Sequence, residues 1–269
     1  MSLSIDEIQQ LVEPARVHSS VYVDEELFQL EMERIWGRSW IYVGHESQVK
    51  NPGDYYTTSI GTYPVILIRD AKSKSLHVLH NRCGHRGAIV TQRQCGNAGV
   101  LRCPYHGWTY KTDGSIHAIP HVGGYKDTEF DKNDEEFSMK KLPRVEVYRG
   151  FVFACLSEDV EDLSDFLGEI ADTIDNMCDR SPEGEVEVTG LNCHRFIHPC
   201  NWKFFLENLH DAMHPMCAHA GTSDAVRSYL STMPEGTSPP PEAEIIDPFA
   251  GSYDFFDSMG VTGLDKGHG

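Results

Sequence analysis

Four residues within one thirty-residue stretch, 81–110, set the chemical question: Cys83, His85, Cys103 and His106. Their order is Cys-x-His, then seventeen residues, then Cys-x-x-His. Two thiolates and two imidazoles in this order can meet at one centre if the residues between them fold back as a hairpin. Thiolates on one iron and imidazoles on the other make the Rieske form of [2Fe-2S], whose neutral ligands raise its reduction potential above that of an all-thiolate cluster. Such a centre accepts single electrons and passes them on. Gly84 and Gly87 allow close backbone approach, and Pro104 stiffens the turn beside Cys103. The competing reading is structural zinc, which also uses two cysteines and two histidines but usually takes a Cys-x-x-Cys knuckle.

A second constellation lies in 201–219, Asn-Trp-Lys-Phe-Phe-Leu-Glu-Asn-Leu-His-Asp-Ala-Met-His-Pro-Met-Cys-Ala-His. Trp202, Phe205, Leu206, Leu209 and Met213 form an apolar helical stripe, which leaves Glu207, Asp211 and His214 on polar faces. Asp211 and His214, three apart, are neighbours on a helix. Pro215 disfavours helical geometry at His214, so the helix is expected to end or bend there and free His219 to swing back. Two imidazoles and a carboxylate with open positions are the facial triad of non-haem Fe(II). Spacing alone leaves two alternatives: His210 with His214 as a zinc-type pair, or a histidine-rich helix that only caps a core.

These residues need positioning elements. Leu27, Leu30, Ile35 and Trp36 share a face and predict a helix over 24–36, capped by Asp24 and ended by Gly37. From Trp40 the pattern changes to short strands at 41–43, 55–58, 65–68, 76–79, 100–102, 108–110 and 151–154, separated by turn residues such as Asn51-Pro-Gly-Asp and Lys111-Thr-Asp-Gly. This is an all-β module with the ligand loops at hairpin tips. A helix over 163–177 follows, so the module ends near 157, and 186–197 alternates as a strand that enters a second domain. His194 and His198 share a face of that strand without implying a ligand role. The acidic run 127–136 reads as a solvated loop.

The chain has 269 residues, 40% of them apolar, enough for two domains. Its formal charge of −18 argues against nucleic acid or an anionic membrane as partner. No run of eighteen apolar residues occurs and the first residues lack the order of a secretory signal, so a cytoplasmic protein is expected. Eight cysteines without a disulfide framework fit a reducing compartment. The six outside the ligand pairs (Cys95, Cys155, Cys178, Cys193, Cys200 and Cys217) read as small packed hydrophobes.

Asn81-Arg-Cys-Gly-His-Arg-Gly-Ala and Cys103-Pro-Tyr-His-Gly-Trp-Thr-Tyr resemble the two cluster loops of the Rieske non-haem iron oxygenases, specifically the alpha subunits of aromatic-ring-hydroxylating dioxygenases. Asn201-Trp-Lys, Glu207-Asn and Asp211-x-x-His-x4-His219 resemble the iron motif of the same family, in the expected order. The resemblance implies an α+β fold in which an all-β Rieske [2Fe-2S] domain (39–157) is inserted into a helix-grip-like catalytic domain. Residues 1–38 would be a helical segment packed on that domain, and 158–269 its first part. It implies Cys83, His85, Cys103 and His106 as cluster ligands, His214 and His219 as ligands of a mononuclear Fe(II), and Asp211 as the bridge from an iron histidine to His106 of a neighbouring subunit.

The same resemblance implies a terminal oxygenase that takes electrons from a flavin reductase, directly or through a ferredoxin. It would activate O2 against a small organic substrate, aromatic by family frequency, by dioxygenation, monooxygenation or demethylation, as a homotrimer with or without a beta subunit. Met213 and Pro215 around His214 depart from the family pattern and predict a different pocket wall. The family's third iron ligand is a carboxylate far downstream. None of Asp224, Asp247, Asp254, Asp257 and Asp265 matches its position, so a carboxy-terminally truncated chain is expected. The alternative is a Rieske electron-transfer or partner-binding protein without a functional iron site.

Overall fold

Val65, Ile66, Leu67 and Ile68 are fully buried in succession, which only a strand covered on both faces allows. The computed structural model describes residues 4–189, 193–211, 213–246, 260 and 262–268, and the chain divides into two units, Met1–Phe196 and Ile197–Gly269.

In the first unit, helix α1 (Ile5–Gln9), the small hairpin β1 (Val12–Glu13) and β2 (Arg16–Val17), and helix α2 (Ser20–Val23) lead into α3 (Glu25–Glu31). Asp24 caps α3 by accepting from the Leu27 N–H at 3.0 Å, and a π-helical turn Met32–Trp36 carries the helix to Gly37, the expected end. The strands then follow as β3 (Ile41–His45), β4 (Asp54–Ile60), β5 (Tyr63–Arg69), β6 (Leu76–His80), β7 (Cys95–Asn97), β8 (Val100–Arg102), β9 (Thr109–Lys111), β10 (Ile116–Ala118), β11 (Arg144–Tyr148) and β12 (Phe151–Cys155). They pair as the antiparallel sheets β6-β5-β4-β7, β10-β9-β8 and β11-β12-β3. The strands predicted for the all-β module form, and within it β7, β10 and β11 are additional.

Alternation along β5 divides the unit into two cores. Ile66 and Ile68 face one side with Tyr55 and Leu79, where they meet Cys83, Leu101, Cys103, Trp108 and Tyr110. Val65 and Leu67 face the other with Tyr56 and Val78, against Val43, Val49, Val152 and Ala154. The register pairs Ile66 with Leu79 and Leu67 with Val78, which keeps the two sets apart. Burial of the four central β5 side chains contributes on the order of 10 kcal/mol against chain entropy. Asp70, at the end of β5, fixes this sheet to the loop after β9. Its carboxylate accepts from the Thr112 hydroxyl at 2.5 Å and from the Ser73 N–H at 2.6 Å.

The helix expected over 163–177 is broken into α4 (Leu163–Leu167) and α5 (Ile170–Asp179). Gly168 between them adopts φ 47°, so the apolar spacing continues while the backbone turns. Leu163 and Leu167 pack with Trp40 and Cys155 in a third core. The described residues of 186–197 form no strand, because alternation makes a strand only where another edge pairs with it. Of the six remaining cysteines, Cys155 and Cys178 are buried as expected and Cys193 is half-buried, whereas Cys95, Cys200 and Cys217 are exposed.

The second unit is helical among its described residues: α6 (Trp202–His210), α7 (Pro215–Ala218), α8 (Ala220–Ser231) and α9 (Pro241–Ile246). Asn201 caps α6 by accepting from the Lys203 N–H at 3.1 Å. Asp247, Asp254 and Asp257 lie outside the described residues.

Candidate metal centres

The two cysteine loops are built on one plan. Cys83 N–H donates to the Ala88 carbonyl and Gly87 N–H to the Cys83 carbonyl, each at 2.8 Å. Cys103 N–H donates to the Trp108 carbonyl at 2.8 Å and Gly107 N–H to the Cys103 carbonyl at 3.0 Å. Each loop thus turns on a glycine four residues after its cysteine, and both glycines are left-handed, φ 69° at Gly87 and 73° at Gly107. The histidine sits two residues after the cysteine in the first loop and three in the second. That offset is one reason the two imidazoles differ in exposure: His85 is half-buried and His106 exposed.

Both cysteines are buried in one core cluster. The His85 and His106 rings are 4.8 Å apart at 63°. The four side chains thus comprise a buried cysteine pair and a pair of neighbouring histidine rings. Burial lowers the His85 pKa, and the neighbouring His106 and Arg86 add to it, which keeps the imidazole neutral and able to ligate.

Around His214 the geometry is local. The helix ends at His210, four residues earlier than Pro215 implied, and Pro215 instead starts α7 at its first turn, where no N–H is needed. Asp211 therefore meets His214 across a turn, not along a helix: its Oδ1 accepts from the Met213 N–H at 2.8 Å and the His214 N–H at 3.2 Å. His214 Nδ1 lies 2.8 Å from the Asp211 carbonyl oxygen, an arrangement that puts the proton on Nδ1 and leaves the Nε2 lone pair for a partner, here the Asn208 amide at 3.1 Å. A backbone carbonyl on one ring nitrogen is the usual support of a metal-binding histidine. The His219 ring is 5.4 Å from that of His214. His210 ends α6 with Nδ1 against the Leu206 carbonyl, so the helical pairing of His210 with His214 does not form.

Residues 39–141 match the Rieske [2Fe-2S] domain family. The chain is 38% identical over 237 residues to the benzene 1,2-dioxygenase alpha subunit of Pseudomonas putida, covering 87% of this chain and 50% of that one. It is 35% identical to the biphenyl 2,3-dioxygenase alpha subunit of Rhodococcus jostii, covering 86% and 48%. Among solved structures, naphthalene 1,2-dioxygenase from Rhodococcus sp. bound to indole matches at TM-score 0.71 and 30% identity over 86% of this chain and 52% of that one. The chain carries a Rieske domain and is homologous to the alpha subunits of aromatic-ring-hydroxylating dioxygenases. A quaternary ammonium Rieske monooxygenase with L-carnitine matches at TM-score 0.61 and 32% identity, covering 75% and 54%. The chain spans about half the length of the curated relatives it matches.

The Rieske domain brings a [2Fe-2S] cluster, and the alpha subunits of this family carry a mononuclear iron. The cluster site fits that group on an observation of its own: His85 Nδ1 is buried with no hydrogen-bond partner among the described residues, an orphan that a metal would satisfy. Tyr110, fully buried, was not among the residues singled out by spacing, yet its hydroxyl accepts the Gly84 N–H and contacts Cys83 Sγ, both at 3.0 Å. Asn81 pins the first loop, its Oδ1 accepting the Val90 and Thr91 N–H groups at 3.1 and 3.0 Å. A cleft of about 460 Å³ lined by Arg102, Tyr105, His106, Pro120 and His121 opens over the second loop. No helix among the described residues is long and apolar enough to cross a membrane.

Proposed function

We propose that this chain provides the electron-transfer domain and two iron histidines of a terminal oxygenase that hydroxylates a small organic substrate, with an aromatic ring the first candidate. The observation that carries this reading is the sorting of four candidate ligands into a buried cysteine pair and a histidine pair, 4.8 Å between rings, on loops of one plan. Cys83 and Cys103 hold one iron and His85 and His106 the other. His214, through Nε2, and His219 bind the mononuclear iron. When bound, these groups supply one-electron transfer and O2 activation.

The chain's own residues set direction. His106, exposed at the tip of the second loop, is the group that can meet another subunit. Asp211 accepts a proton-bearing partner while it holds the turn that presents His214, so it can join an imidazole of a neighbouring copy to the iron histidine. Residues 39–157 are the Rieske domain, 158–269 the first part of the catalytic domain and 1–38 a helical segment packed on it. The partners that follow are a flavin reductase or ferredoxin as donor, further copies of the chain in a trimer with or without a beta subunit, and a cytoplasmic setting. Relatives acting on benzene and biphenyl support the aromatic choice.

Iron and acid-labile sulfide counted on anaerobically purified protein test this. About three irons to two sulfides per chain is expected. Equal iron and sulfide would support an electron carrier without the second iron, and zinc without sulfide would remove the reading.

A further inference from the structure

His85 and His106 are held by different aromatic neighbours. The His85 ring lies parallel to Trp108, 4.9 Å between centroids and 4° between planes. Trp108 is buried, and Phe130 and Phe137 close on it edge-on at 5.9 and 6.2 Å. Those two rings are 4.8 Å from each other, and Tyr125 lies 4.3 Å from Phe130. All three belong to the segment 122–139, whose acidic residues face outward while its aromatic residues face the cluster loops. The same segment crosses the first loop so closely that a Cβ on Gly84 would fall on the Phe137 carbonyl. His106, by contrast, is tilted 32° against Tyr105, which is 63% exposed.

We propose that Trp108 is a positioning residue that fixes the ring plane of His85, and that segment 122–139 is the clamp that holds Trp108 there. This rests on the assignment of His85 as a cluster ligand. A histidine ring turns about a broad torsion with weak intrinsic preference. A parallel aromatic face restricts that torsion, since rotation would lose the stacking contact. Orientation of an imidazole plane governs its overlap with iron orbitals, so the stacked ligand would have one electronic coupling and the exposed one a spread of them. The electron-accepting iron is thereby given one rigid ligand and one that can respond to a partner. The acidic residues keep the clamp soluble; its aromatic residues give it the contact.

The test uses the full chain, purified anaerobically, as wild type, Trp108→Leu and Trp108→Phe. Sulfide and iron are counted first, because absence of sulfide in the wild type defeats the cluster assignment itself and with it this inference. Pulsed electron paramagnetic resonance of the reduced protein then resolves the couplings of the two ligand nitrogens. Trp108→Leu, which refills the core without a stacking face, is expected to keep the sulfide content and roughly double the spread of one nitrogen coupling, leaving the other unchanged. Trp108→Phe is expected to restore most of the wild-type line shape. Unchanged couplings in Trp108→Leu at full sulfide content, or equal changes in both nitrogens, would overturn the proposal. If Trp108→Leu does not hold the cluster, Phe130→Leu carries the decision: a smaller broadening of the same nitrogen supports the clamp, and none refutes it.

Discussion

The two candidate centres are supported in opposite ways. Around the cluster, ligands sit on turns closed by backbone bonds, over a core that includes Ile66, Leu79, Trp108 and Tyr110. Around His214, support comes from a single turn and neighbouring side chains, and the apolar stripe of α6 stands in solvent: Phe205 is 53% exposed and Leu209 63%. A stripe of that width is built to be covered. The cysteine loops therefore carry their own scaffold, whereas His214 is held by a local turn and the Asn208 amide.

The strongest way to break this contrast is to show that the centres are not separable. Cys83→Ser or Cys103→Ser is expected to abolish sulfide and visible absorbance, while His214→Ala leaves the sulfide count at its wild-type value; loss of sulfide in His214→Ala would join the two sites. Next in size, Asp211→Asn should leave both metal counts intact and slow reoxidation of the reduced cluster by about 10–100-fold. Stopped-flow rates equal to wild type would remove Asp211 from the path.

Tyr110→Phe sharpens the cluster side. It leaves the Gly84 N–H buried without its 3.0 Å acceptor and removes the hydroxyl from Cys83 Sγ, so a loss of about 1–3 kcal/mol in denaturant unfolding is expected. The cluster's midpoint potential should also fall, since a donor to sulfur favours the reduced, more negative state. An unchanged potential would make Tyr110 a packing residue only.

The smallest effect is one of pH. Burial alone would raise the Asp70 carboxyl, but bonds from Thr112, Ser73 and Lys72 outweigh it and hold the group well below the usual carboxylate range. A depressed folded pKa stabilises the fold above the unfolded value of about 3.9 and loses that contribution as pH falls below it. Thermal midpoints of the wild type should drop steeply below about pH 4, and Asp70→Asn should start lower at neutral pH and flatten the drop. Parallel curves would exclude Asp70 as the acid-sensitive link.

Much of the first centre was legible because its signals are local. Cys-x-His and Cys-x-x-His, the turn glycines and the alternation in 65–68 each lie within a few residues. What escaped notice needed distance: Tyr110 reaches Cys83 from 27 positions away, and three-residue strands such as β7 and β10 exist only because a neighbour pairs with them. The break at Gly168 was hidden because Leu163, Leu167 and Ile174 keep a helical rhythm across it. At the second centre Pro215 implies a stop near His214, whereas its missing N–H suits it to start α7.

The common plan of the two cysteine loops bears on biogenesis. Both turns are closed by their own peptide groups, with left-handed glycines at their ends, so backbone bonds contribute directly to their shape. The ordering entropy of the receptacle is then spent during folding of the β-sheets. Loading the site with metal then has less backbone left to order.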